Sequence, residues 1–164
     1  MKFMIDPGHG GHDSGAVGPA RTRESDVALA VSLMVAGHFS SHAPDEIMLT
    51  RYADVFVGLD DRCSLANDWG ADAFISIHCN AADSPAASGF EVWTSPGWTA
   101  ADPIATAVWE KFRRTFPDMR ARLDASDGDP DKESRFRVLV GTEMPAVLVE
   151  LGFISNPEEE KRLT

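Results

Sequence analysis

Short apolar runs of strand length alternate along this chain with segments of helical period, and that alternation constrains its fold more than any other feature. The strand-like runs are Lys2 to Asp6, Ile47 to Arg51, Ala73 to Asn80, Gly89 to Thr94, Arg137 to Val140 and Ala146 to Phe153. Between them, Val27, Ala30, Val31, Met34, Val35 and Phe39 track a helix from Asp26 to about Phe39, with Ser25 as its expected cap and Glu24 just before it. Leu59, Cys63, Leu65, Ala66 and Trp69 mark a second helix that Gly70 should end, and Pro103 to Phe116 a third behind Asp102 as cap. A parallel crossover needs about a helix's worth of chain, so this order predicts an α/β three-layer sandwich: a largely parallel, about six-stranded sheet flanked by helices. With 164 residues, one domain spanning 1–164 is expected. The polar stretch Asp124 to Glu133, broken by Gly128 and Pro130, reads as an exposed loop and not as a boundary.

Composition narrows the function classes. An apolar fraction of 43% with 25% charged residues excludes disordered and fibrous chains. Lysine and arginine number 15 against 26 acidic residues, a net charge of −11, which repels polyanions and argues against a nucleic-acid partner. The short basic cluster Lys111, Arg113, Arg114 lies among Trp109, Phe112 and Phe116 at helical spacing, and reads as the solvated face of an amphipathic helix. Cys63 and Cys79 are too few for a disulfide framework and form no C-x-x-C pair, so both are expected in the core. No apolar run is long enough for an integral membrane segment, and Met1 to Ile5 is too short for a signal-peptide core. Synthesis in the cytoplasm without a visible signal peptide, as a monomer, is the expectation.

Chemistry in an open parallel sheet collects where strands end at their carboxyl edge. Three runs end there in polar residues: the first in Asp6-Pro7-Gly8-His9-Gly10-Gly11, the third in Ser76-Ile77-His78-Cys79-Asn80, the last in Val149-Glu150-Leu151-Gly152. Alternation puts Phe74, Ser76, His78 and Asn80 on one face of the third strand, and Leu148, Glu150 and Gly152 on one face of the last. A carboxylate inside Ala-Val-Leu-Val-Glu-Leu-Gly-Phe is costly unless it is paired, protonated or near a metal, which makes Glu150 the most informative residue in the chain. Two imidazoles and a carboxylate can hold Zn²⁺ with a fourth position open, and His9, His78 and Glu24 can supply them. Their separation in sequence forms no short motif of the H-E-x-x-H type.

The segments Ile5 to Gly11, Asp13 with Gly15-Ala16, Glu24, Leu49-Thr50-Arg51, Leu59 with Arg62, Ala66-Asn67, Ser76 to Ala81 and Pro145 to Asn156 together resemble the zinc-dependent N-acetylmuramoyl-L-alanine amidases of the Amidase_3 type, across nearly the whole chain and in order. The resemblance implies that His9, Glu24 and His78 bind one Zn²⁺ per chain and that Glu150 is catalytic. It also implies that the substrate is peptidoglycan, cut between N-acetylmuramic acid and the first L-alanine of the stem peptide. A phage endolysin acting on the wall after release, or a trimmed domain of a secreted autolysin, would both look like this. No cell-wall-binding module is visible beside the catalytic segments, so the expectation is that wall attachment comes from the catalytic groove or from residues beyond these.

Other readings stay open at this level. A non-catalytic peptidoglycan-binding module could keep the fold, and a zinc hydrolase could act on another amide. Glu150 could be a structural acid paired with Arg51 or Arg62. His12, His38 and His42 read as structural. Asp13 and Asn80 could orient the metal-binding loops, though turn formation explains an Asp or Asn beside glycine equally well. Relatives continue past Asn156 with a long helix, whereas here Asn156-Pro157-Glu158 begins one of only about two turns before Thr164, implying a compact variant or a trimmed end.

Overall fold

The computed structural model describes residues 1–42, 45–126 and 128–164. Six strands form one sheet: β1 (Lys2–Pro7), β2 (Glu46–Leu49), β3 (Ala73–Asn80), β4 (Glu91–Thr94), β5 (Lys132–Glu133) and β6 (Ala146–Phe153). Their spatial order is β2-β1-β3-β6-β4-β5, parallel throughout except for the antiparallel β4–β6 pair. The five helices are α1 (Glu24–His42), α2 (Leu59–Trp69), α3 (Asp102–Thr115), α4 (Arg137–Gly141) and α5 (Pro157–Leu163).

Strand alternation divides the core into two sides. Met4, Phe74 and Leu148 pack against Cys63 and Ala66 of α2 and Val138 and Leu139 of α4. Ile5, Ile77, Cys79 and Val149 pack against Val27, Val31 and Val35 of α1 and Val108 and Phe112 of α3. A sheet covered on both faces explains why β3 and β6 read as nearly continuous apolar runs. Both cysteines are buried and free, as expected. Lys111, Arg113 and Arg114 are exposed on α3, with the Arg113 guanidinium 5.5 Å from the ring centroid of the buried Trp109.

Several expectations are corrected. Arg137 to Val140 is not a strand but the short helix α4. Val138 and Leu139 pack from it onto the sheet face beside Cys63 and Ala66 of α2, and a single helical turn presents both to that core. The sixth strand comes instead from β5, inside the stretch expected to be a loop, where Lys132 and Glu133 pair with Trp93 and Thr94. Ser25 does not cap α1. The helix already includes Glu24, and the buried Ser25 hydroxyl has no partner among the described residues. Met34 is 66% exposed, because the buried face of α1 runs through Val27, Ala28 and Val31. Asp102 is the first residue of α3 rather than its cap, which is Ala101. Gly70 does end α2, at φ 66°. The two-turn helix α5 is held by packing: its buried Glu159 accepts the Gly89 and Phe153 amides, and Glu160 those of Ala20 and Thr22.

Candidate functional site

The chain leaves β1 through Pro7 and enters a turn in which His9 itself adopts φ 58°, a left-handed conformation that side chains rarely take. Two buried arginines hold the turn there. Arg51 donates to the Pro7 and Gly8 carbonyls at 3.0 and 2.7 Å, and Arg62 to those of Pro7 and His9 at 2.6 and 2.7 Å. Arg62 also pairs with Asp6 at 2.6 Å, while Thr50 and Ser76 hydroxyls complete the Asp6 carboxylate. These arginines are each 2% exposed and spend their donors on Asp6 and backbone carbonyls, and among the described residues neither is ion-paired with Glu150, so the structural pairing with Arg51 or Arg62 is not the one observed. Sequence alone marks them only as charges near strand and helix ends.

Glu24, at the first position of α1, reaches across to the end of β3. Its Oε1 lies 3.0 Å from His9 Nε2 and 2.9 Å from His78 Nδ1, and accepts the Cys79 amide at 3.0 Å. Its Oε2 accepts the Ala16 amide at 2.9 Å. His9 Nδ1 contacts Asp13 Oδ2 at 2.8 Å, so both ring nitrogens face carboxylate oxygens; with Nδ1–H donating to Asp13, Nε2 is the nitrogen that a metal ion could take in place of a proton. The three side chains expected to be ligands thus converge, with one donor atom from each within 4.8 Å of the others, and could hold a metal ion. Two glycines make the approach possible: a Cβ on Gly8 would lie 2.3 Å from the His78 ring, and one on Gly15 would lie 2.6 Å from Glu24 Oε2.

Glu150 stands beside this cluster. In the sheet register it is the partner of His78 on β3 and of Glu91 on β4, and its buried Oε2 has no hydrogen-bond partner among the described residues. Burial raises its pKa to about 7; His78 and His9 oppose the rise, and Glu24 and Glu91 add to it. Glu24 behaves oppositely: burial would raise it, but His78 and His9 outweigh burial and hold it far below the usual carboxylate range. Burial likewise works against a charged His9, yet Glu24 and Asp13 raise it to about 9. The two carboxylates of the site are therefore driven in opposite directions.

A cleft of about 580 Å³ opens over these residues, lined also by Phe56, Leu59 and Phe136. His12 is outside the cluster, its ring 4.1 Å from that of Phe56. His38 is on the exposed side of α1, and the side chain of His42 lies outside the described ones. Of the two suggested orienting residues, Asp13 contacts His9, whereas Asn80 donates to Glu91 Oε2 at 3.1 Å and touches no member of the cluster. Glu91, which sequence reasoning missed, is buried and also engaged by Arg122, Lys132 and Trp93.

The family model described as N-acetylmuramoyl-L-alanine amidase matches residues 3–164. The chain belongs to the N-acetylmuramoyl-L-alanine amidase family. Amidase AmiA of Salmonella typhimurium is 32% identical to it, over 98% of this chain and 68% of AmiA. The sporulation-specific amidase of Bacillus subtilis is 35% identical, over 99% of this chain and 60% of its own length. Among solved structures, amidase AmiC2 of Nostoc punctiforme superposes with a TM-score of 0.90 at 35% identity, covering 99% of this chain and 85% of that one. The fold of the family is the three-layer α/β sandwich expected from the strand and helix order. No helix among the described residues of this amidase chain is long and apolar enough to cross a membrane.

Proposed function

We propose that this chain hydrolyses the amide between N-acetylmuramic acid and L-alanine in peptidoglycan, with one Zn²⁺ held by His9, Glu24 and His78 and with Glu150 as general base and acid. The observation that carries the reading is the convergence of two imidazoles and one carboxylate beside a buried, unpartnered Glu150. A nitrogen, nitrogen, oxygen donor set with an open side toward a cleft fits zinc in a hydrolytic site. Bound there, zinc supplies Lewis-acid polarisation of a carbonyl and acidification of water.

The remaining work falls to side chains. Asp13 fixes the His9 ring, and the Ala16 and Cys79 amides fix the Glu24 carboxylate. Glu150, buried beside the cluster with its Oε2 unpartnered among the described residues, is placed to take the proton of the attacking water; burial raises its pKa, and a bound cation would draw it back down so that the carboxylate can act as base. The water oxygen bonds to the lactyl carbonyl carbon, the carbon–nitrogen bond breaks, and Glu150 returns the proton to the departing alanine nitrogen. Phe56, Leu59 and Phe136 give the cleft apolar walls against which the sugar or peptide can lie.

Digestion of purified peptidoglycan tests this directly. Mass spectrometry should find stem peptides with new free alanine amino termini and intact glycan strands. New reducing sugar ends, or release at another amide, would reject the assigned bond; zinc-loaded protein that binds the wall without products would support a non-catalytic module instead.

A further inference from the structure

Far along the sheet from β1, a second group of acids has no cationic partner. Asp102 opens α3, while Asp129 and Asp131 flank Pro130 just before β5. One carboxylate oxygen from each lies within 4.8 Å of the others. Asp131 is 2% exposed; the Thr94 hydroxyl donates to its Oδ2 at 2.7 Å, but its Oδ1 is buried with no donor among the described residues, and so is Oδ1 of Asp129. Among the described residues no lysine, arginine or histidine is ion-paired with any of the three. The neighbouring Lys132 is turned away, to Glu91. Two buried acceptor oxygens with nothing to accept, set among three carboxylates, need either a shared proton or a cation.

We propose that Asp102, Asp129 and Asp131 form a second cation site, for Ca²⁺, separate from the His9, Glu24 and His78 cluster. The donors are all carboxylate oxygens, hard ligands with no histidine or cysteine among them, which suits calcium and not zinc. The spacing agrees: oxygens within 4.8 Å of one another are no more than two calcium–oxygen bonds of about 2.4 Å apart. Calcium also tolerates the irregular geometry that an Asp-Pro-Asp loop and a helix start impose, where magnesium demands near-ideal octahedra. A cleft of about 310 Å³ lined by Asp131, Asp124, Ser126 and Glu133 adjoins the site and gives water access to complete the shell. Burial raises the Asp131 pKa to about 7; the Thr94 hydroxyl opposes the rise, and Asp129 and Asp102 add to it, the cost of crowding these acids without positive charge. A cation here would fasten the loop before β5 to the start of α3, two segments distant in sequence.

Zinc-loaded protein titrated with CaCl₂ in a calorimeter tests the site. One Ca²⁺ should bind per chain, with Kd below about 1 mM, and the melting temperature should rise with Ca²⁺. Mg²⁺ should bind more weakly. Asp131→Asn and the less buried Asp129→Asn should each weaken Ca²⁺ at least about tenfold, the second serving if the first does not fold. His78→Ala, which disrupts the other cluster, should leave Ca²⁺ binding intact. Absence of Ca²⁺ binding, Mg²⁺ binding as tight as Ca²⁺, or variants that bind as well as the parent would overturn the proposal. So would asparagine variants that are simply more stable than the parent with no response to Ca²⁺, the behaviour of a shared proton.

Discussion

Replacing Glu150 by Gln should sharply lower turnover and at the same time stabilise the metal-free protein at alkaline pH. The carboxyl binds its proton more tightly in the folded chain, at a pKa of about 7, than in the unfolded one, at 4.5. The sign follows from linkage: stability associated with the protonated form is fully present below about pH 4.5 and is lost as pH rises through about 7, because there the native state must ionise a buried acid. At about 1.4 kcal/mol per pH decade the full displacement amounts to roughly 3 kcal/mol, and partial exposure with local relaxation brings the expected figure to about 1–3 kcal/mol. A glutamine has no such penalty at any pH.

Urea unfolding of chelator-treated parent and Glu150→Gln, at pH 5 and pH 8, measures the difference. Groups such as His9 titrate in both proteins, so the comparison isolates residue 150. The variant should gain about 1–3 kcal/mol over the parent at pH 8 and little at pH 5, and the gap should narrow when zinc is added, since positive charge beside the carboxylate offsets its burial. Turnover in the zinc-loaded variant should fall by roughly 10²- to 10⁴-fold while zinc content stays near one per chain. A variant no more stable than the parent at pH 8 would mean that the Glu150 carboxylate is already compensated, and a base poised near neutrality would have to be sought elsewhere.

Glu24→Gln should lower zinc content and activity together, with partial recovery on added zinc, as elemental analysis and a wall-lysis assay would show. Gly8→Ala and Gly15→Ala should each lose zinc with the far-ultraviolet dichroism preserved, because the new methyl would intrude on His78 or on Glu24 and not on the sheet. Arg62→Ala should cost about 3–5 kcal/mol in urea unfolding, since it strands the Asp6 charge, and Asp6→Asn in the same chain should restore part of that loss.

The parts legible in sequence are those whose signal is local. β3 and β6 carry long apolar runs, and the expected bounds match the observed ones. Alternation from Phe74 to Asn80 and around Glu150 assigns His78 and Glu150 to strand faces, but that their strands are neighbours and pair them in register is seen only in the fold. Arg137 to Val140 defeats the same logic, because four apolar-rich residues fit a helical turn as well as a strand. β5 is two residues long and exists through pairing with β4, so nothing in Lys132-Glu133 announces it. The roles of Arg51, Arg62 and Glu91 depend on which elements lie side by side. The order β2-β1-β3-β6-β4-β5 is not the order of the chain, and Glu91 meets Glu150 only because β4 turns antiparallel beside β6.

That topology also explains how a strained ligand turn persists. A histidine at φ 58° costs energy on its own, of order 1–3 kcal/mol, and holds only where its surroundings over-determine it. Here four bonds from Arg51 and Arg62 secure the carbonyls of Pro7, Gly8 and His9, and both guanidinium groups are buried against the sheet. Glu160 of α5 secures the Ala20 and Thr22 amides in the segment leading to Glu24. The two loops that bring His9 and Glu24 to His78 are thus fixed by protein groups, so binding of a metal ion has little ordering left to do. Affinity should then depend on the ligands themselves, and folding should survive the removal of any one of them: His9→Ala or His78→Ala should lose most of the zinc with a cooperative unfolding transition intact. A transition that broadened or vanished in either variant would show instead that the metal organises the loops, and that the arginine clamps are a consequence of its binding.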